Sequence, residues 1–261
     1  MAGDPDTVTM TPRSTLRARL ARRLALHQRL FDPRLEPRNA LPWLKPLQRW
    51  QAARLERSFS VFLQDPSQRP AARFFLTDVY GDRDFRQRDA DIARVMPMMQ
   101  RLLPEPLLLT LADAIALAAL SHAFDLRMAQ ALHDLAPVTA TLDVPLYGQA
   151  YRQVGHPRLR AWQIALIDEV GSGLAAAVQM PGVARLLRLS RLPARAAGLG
   201  ELQGFLERGF AAFVALGDAR AFLDHIRVQE TRTMQRLFAG APDPFGFAGG
   251  VVSAWPEHQQ P

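Results

Sequence analysis

Cysteine is absent from all 261 residues, and lysine occurs once, at Lys45. Without thiols there is no disulfide scaffold, thiolate zinc site, iron–sulfur cluster or cysteine nucleophile. Valine, isoleucine and threonine are sparse beside leucine and alanine, and no apolar–polar alternation is long enough to make a strand. No apolar run reaches the roughly 20 residues that a bilayer span requires. The longest, Pro106 to Leu120, holds Asp113 inside it, which suits a buried core helix better than a membrane helix. The start, Met1-Ala2-Gly3-Asp4-Pro5-Asp6, is acidic with no apolar segment after it, so a cytoplasmic location is expected.

What is present is a hydrophobic fraction of 48%, enough at this length for a substantial core and against global disorder. The net charge of +7 is unevenly placed. The first 50 residues hold nine arginines and Lys45 against four carboxylates, so the remainder is close to neutral. Apolar positions recur at intervals of three and four, which predicts helices over 14–31, 46–64, 71–80, 84–103, 105–135, 144–154, 157–180, 182–196, 200–216 and 219–238. Residues 105–135 are apolar on nearly every side through Leu120, the mark of a helix surrounded by others. The expected fold is all-α, a single domain of about nine helices around that central one. Residues 1–12 read as a flexible tail, 13–238 as the helical domain with a basic N-terminal arm, and 239–261 as a flexible C-terminal tail.

The run Phe74-Phe75-Leu76-Thr77-Asp78-Val79-Tyr80-Gly81, then Asp84-Phe85-x-x-Arg88-Asp89 and later Leu120-Ser121-His122-x-x-Asp125, resembles the FFLEE-motif family of bacterial proteins. Thr77-Asp78 stands where that motif carries two glutamates. The resemblance spans residues 74–125 and implies a bacterial helical protein without implying an activity.

Periodicity puts several ionisable residues on inward faces. Counting from Phe85, the inward stripe falls at 85, 89, 92, 96, 99 and 103 and includes Asp89, while Arg88 and Asp91 read as a surface pair. His122 and Asp125 lie one turn apart on the central helix, where Asp125 would orient an imidazole or meet a partner across the interface. In the last helix Glu230 shares a face with Leu223, Ile226 and Leu237, with Arg227 as its expected partner and His225 beside it. Asp89, His122, Asp125, His225 and Glu230 are therefore the ligand-binding candidates.

None of the six histidines has a carboxylate three residues before it, and no His-x-x-x-His occurs. Di-iron and two-histidine zinc motifs are thus excluded, and no metal is expected. On the surface, Arg17, Arg22 and Arg23 of the basic arm and Tyr80, Asp82 and Arg88 of the polar run are the interaction candidates. Two functions follow. The first is a non-enzymatic protein-interaction or regulatory protein without a cofactor, using the arm or the 80–91 run toward a protein partner or an anionic membrane surface, with nucleic acid disfavoured because the arm lacks stacking aromatics. The second is a haem- or small-ligand-binding helical protein, or an enzyme, built on the buried His/Asp cluster.

Overall fold

The structure, a computed structural model, describes residues 12–79 and 86–247, without the side chains of 12–14, 86–90, 93 and 102. These residues are helical, with no strand among them. The order is α1 (Pro12–Phe31), a 3-10 turn (Pro37–Ala40), α2 (Leu44–Ser58), α3 (Ser60–Gln64), α4 (Arg69–Phe74) and a π turn (Phe75–Val79). Then follow α5 (Arg86–Leu102), α6 (Glu105–Leu135), α7 (Val144–Val154), α8 (Pro157–Gln179), α9 (Val183–Leu189), α10 (Arg191–Ala196), α11 (Gly200–Ala215) and α12 (Ala219–Phe238).

Local chemistry accounts for most boundaries. Asp143 accepts from Leu146 N at 2.9 Å and opens α7; Asp218 accepts from Ala221 N at 2.9 Å and opens α12. Pro106 and Pro157 occupy first-turn positions, where a missing N–H costs nothing. The corner between α7 and α8 is turned by two left-handed residues, Gly155 (φ 67°) and His156 (φ 61°). About nine helices were expected, over ten spans, and twelve are present among the described residues, because two of those ten spans are broken. Phe59 leaves helical geometry (φ −111°, ψ 20°) as its ring packs on Phe62, dividing 46–64. Pro193 has no N–H for the carbonyl four residues back, dividing 182–196 at Ser190.

α6 is the centre, packed against α1, α2, α7 and α8. By length and composition it is long and apolar enough to cross a membrane, with a mean hydropathy of 1.8 over its most apolar window, of which 44% is buried inside the protein. α1 is docked, with Leu16 and Leu20 buried among Met96, Leu108, Ala112 and Ile115.

α8 crosses its neighbours closely. A Cβ on Gly171 would lie 2.3 Å from Leu223 Cδ2, and one on Gly173 would lie 2.2 Å from Thr110 Oγ1. Gly171 and Gly173 therefore mark close crossings within a helix interior, against α12 and α6 in turn, with Ser172 between them exposed. Leu223 is itself buried, so displacing its side chain disturbs the packing around it. Gly171→Ala is expected to cost about 1–3 kcal/mol by overpacking despite alanine's better helix propensity, measured by denaturant unfolding. An unchanged or raised midpoint would refute the crossing.

The expected C-terminal tail from 239 needs correction over its first nine residues. Phe245 is 2% exposed, packed edge-on to Trp50 at 5.8 Å and beside Tyr147 at 6.2 Å. Arg57 lies over the Phe247 ring at 4.4 Å, and Phe247 N donates to Asp243 at 3.0 Å. Aromatic burial outweighs the turn-forming glycines and prolines around it.

Candidate functional site

Two polar clusters lie on α6, one at the buried His122 and one at the partly buried Asp125. His122 is buried, with Phe31 stacked on its ring at 3.9 Å and His27 stacked on the other side of Phe31 at 4.4 Å. Asn39 in the 3-10 turn uses its amide to donate to the Leu30 and Glu36 carbonyls at 2.9 and 2.8 Å. Its Oδ1 is left to accept from His122 Nε2 at 2.8 Å, which fixes the proton on that nitrogen. Burial, then His27 nearby, pushes His122 down to about 4, against a backbone hydrogen bond to Leu30 and the charge of Glu36. His122 is thus a neutral donor that ties α6 to the end of α1.

Asp125 points elsewhere. It accepts from Gln48 Nε2 at 3.3 Å and from Gln51, both on α2, and burial pushes it up to about 6 against those bonds and the charge of Arg160. The two groups take separate partners, so the expected pairing of Asp125 with the His122 ring gives way to an aspartate facing α2 and α8. Arg160 is 6% exposed, its guanidinium carbon 3.6 Å from the Phe124 ring centre and 4.3 Å from that of Tyr151. Its Nε and Nη2 are buried without hydrogen-bond partners. Burial lowers its hold on the proton, and the charges of Tyr151, Tyr147 and Asp125 oppose that.

The same aromatic wall leads to a second ion pair. Arg54 on α2 reaches Glu230 on α12 through two bonds, Nη1 to Oε1 at 2.5 Å and Nη2 to Oε2 at 3.2 Å. Both side chains are largely buried, and Tyr151, within the field of both, is raised above its ordinary range mainly by burial. Glu230 therefore pairs with an arginine 176 residues away. The expected partner Arg227 instead joins Asp224 at 3.0 Å. Asp125, Arg160, Tyr151, Arg54 and Glu230 make a polar seam, linked neighbour to neighbour by electrostatic interaction, Arg160–Tyr151 stacking and the Arg54–Glu230 pair, beside Trp50, Tyr147 and Phe245. His225 stands apart, exposed, with its ring edge on Phe62 at 4.9 Å.

Arg54 and Arg160 were missed in the sequence, although each carried a signal. Arg160 sits in register with Ile164, Ile167, Gly171 and Leu174, and Arg54 lies two turns beyond Leu47 on the apolar side of α2. An arginine in a core register marks a buried cation that needs π faces or a carboxylate.

The side chain of Asp89 lies outside the described residues, as do Tyr80 and Asp82 and the side chain of Arg88. The buried carboxylate that α5 does show is Asp91, 1% exposed and 3.2 Å from Arg94, so its expected place in a surface pair is corrected. The Phe74–Asp78 run is structural. Phe74 fills the space over Gly209, where a Cβ would stand 2.8 Å from its ring. Asp78 is buried and accepts from Arg208 at 2.6 and 2.9 Å, so the π turn is clamped to α11. Among the described residues no group of three or more His, Asp or Glu is placed to hold a metal.

The basic arm is largely committed internally. Arg23 pairs with Asp113 at 2.5 Å, which accounts for that carboxylate in the apolar face of α6, and Arg17 donates to the Gln100 carbonyl at 3.2 Å. Arg22 is exposed and, with Thr15, Leu16, Arg19, Glu105 and Leu109, lines a cavity of about 260 Å³.

The other basic surface is α9–α10. Leu186, Leu189 and Leu192 are 55, 65 and 76% exposed and recur every third residue. Arg185, Arg188 and Arg191 each precede one of them by one position, Arg195 follows, and no carboxylate occurs from 180 to 200. Gln203 of α11 anchors this ridge, donating to the Leu187 carbonyl at 2.8 Å and accepting from Ser190 Oγ at 3.1 Å. Arg191 is held to Glu207 at 2.7 Å, and among the described residues Arg185 and Arg188 make no ion pair.

An all-α domain with a polar seam and a basic, leucine-bearing ridge on its surface is the class these features define. A family model for a domain of unknown function, DUF8198, matches residues 30–244, and the chain belongs to that family. No curated protein and no solved structure matches the chain.

Proposed function

We propose that this is a non-enzymatic interaction protein whose contact surface is the α9–α10 ridge. The observation that carries the reading is three leucines, each more than half exposed, side by side on a two-helix segment that contains four arginines and no acid. Elsewhere Leu26, Leu35 and Val61 stand singly, and Leu159 with Trp162 on α8 make a pair only 37 and 42% exposed, short of the three-leucine row. The family match supports the choice of ridge over arm, because residues 30–244 include all of α9–α10 and only the last two residues of α1. The buried ion pairs and the His122–Asn39 bond then serve architecture, and the reading gives no part to a haem. The finer kinship with the FFLEE-motif proteins of bacteria, carried by Phe74 to Asp78, and a cytoplasmic location belong to the same reading.

A photo-reactive amino acid at position 189 tests it in cells that express the full chain. Covalent adducts are expected at 189 and not at the equally exposed but isolated Leu35. Equal yields at both positions, or none at 189, would overturn the surface assignment.

A further inference from the structure

We propose that the occupant of the ridge is an anionic lipid bilayer, with Leu186, Leu189 and Leu192 entering the boundary between headgroups and acyl chains and Arg185 and Arg188 meeting lipid phosphates. This rests on the ridge being the contact surface and adds the chemistry of what it contacts.

Three observations favour a lipid surface over a protein. The first is the ladder itself. Each of the three leucines is preceded by an arginine, so a leucine row and an arginine row run side by side along the segment. A helix lying in the plane of a bilayer needs that pairing, with apolar side chains directed down and guanidinium groups held level with the phosphates. The second is the poverty of directional polar groups. From 183 to 196 the only uncharged polar side chain is Ser190, and its hydroxyl is spent on the Leu187 carbonyl at 3.0 Å and on Gln203. A protein partner is ordinarily read by a polar rim with matched hydrogen bonds, which this ridge does not supply. A headgroup layer asks only for positive charge and grease. The third is charge complementarity: no carboxylate occurs between 180 and 200, and Glu207 beside the segment is paired with Arg191, so the ridge carries net positive charge toward an anionic surface.

The architecture presents the ridge for that purpose. It begins at Gly182 (φ 88°) and ends at Gly198 (φ 71°), so the chain turns out of α8 and back into α11 at two left-handed glycines. Gln203 and the Arg191–Glu207 bridge hold its inner side to α11 and leave the leucines outward.

The test is co-sedimentation of the full chain with vesicles of phosphatidylcholine alone and of phosphatidylcholine mixed with phosphatidylglycerol. Binding to the mixed vesicles is expected to be at least about tenfold tighter, and to weaken with added salt. Leu189→Asp and the Arg185→Glu, Arg188→Glu double variant, each with the parent's circular dichroism, should lose that binding, while Arg22→Glu on α1 should keep it. No binding to mixed vesicles, equal binding to both kinds, or loss in Arg22→Glu with retention in Leu189→Asp would overturn the lipid assignment. Protein adducts at 189 without vesicle binding would leave the ridge as the contact surface and remove lipid as its occupant. Absence of both would remove the two together.

Discussion

Glu230→Ala is expected to lower the free energy of unfolding by about 3–5 kcal/mol, the usual consequence of stranding a buried charge. The charge left behind is Arg54, whose side chain is 11% exposed and whose Nε already lacks a partner. Arg54→Ala should cost a similar amount by stranding Glu230. The double replacement Arg54→Met, Glu230→Leu should recover most of the loss, because apolar side chains of like volume carry no desolvation penalty in a seam lined by Trp50, Tyr147 and Phe245. Urea unfolding of the three variants measures this. A double variant as unstable as either single would mean that the pair contributes a net attraction its burial does not cancel.

Two groups on α6 should make stability depend on pH in opposite senses. His122 titrates at about 4 in the folded chain against an ordinary 6.5. Between those values the unfolded chain binds the extra proton, so stability rises with pH and is lost as pH falls. Asp125 titrates at about 6 against an ordinary 3.8. Over that interval the folded chain binds the extra proton, so stability falls as pH rises. From about pH 4 to 6 the two contributions cancel, each near 1.4 kcal/mol per pH unit. Asp125→Asn should unmask the histidine. Relative to the parent, its stability should climb with pH through that window and stand about 1–3 kcal/mol higher at pH 7, where the parent carries a buried carboxylate. His122→Gln should do the reverse, its stability falling with pH relative to the parent. Parallel pH profiles for parent and both variants would show that these side chains are hydrated in the folded chain.

The helices were legible in the sequence because their ends are local chemistry. The spans 105–135, 144–154 and 219–238 agree with the structure residue for residue, set by prolines at first turns and by Asp143 and Asp218 as caps. The seam was only half legible. Periodicity placed Asp125 and Glu230 inward, but their partners come from α2 and α8, and nothing within one helix says which arginine crosses to it. Asp91 was misplaced because an amphipathic count tolerates an error of one position, and one position turns a surface pair into a buried carboxylate. Phe245 was missed because turn residues announce irregular backbone and say nothing of where a ring among them packs. The ridge was visible only as a helical span, since a leucine row on an isolated helix reads as core until the fold leaves it uncovered.

The separation between an architectural core and a working surface is tested most directly by reading the surface in a protein whose seam has been made apolar. In the Arg54→Met, Glu230→Leu chain carrying the photo-reactive residue at 189, adduct yield is expected to equal that of the parent. A folded apolar-seam variant that forms no adducts at 189 would mean that the buried charges take part in function, and would contradict the assignment of function to the ridge.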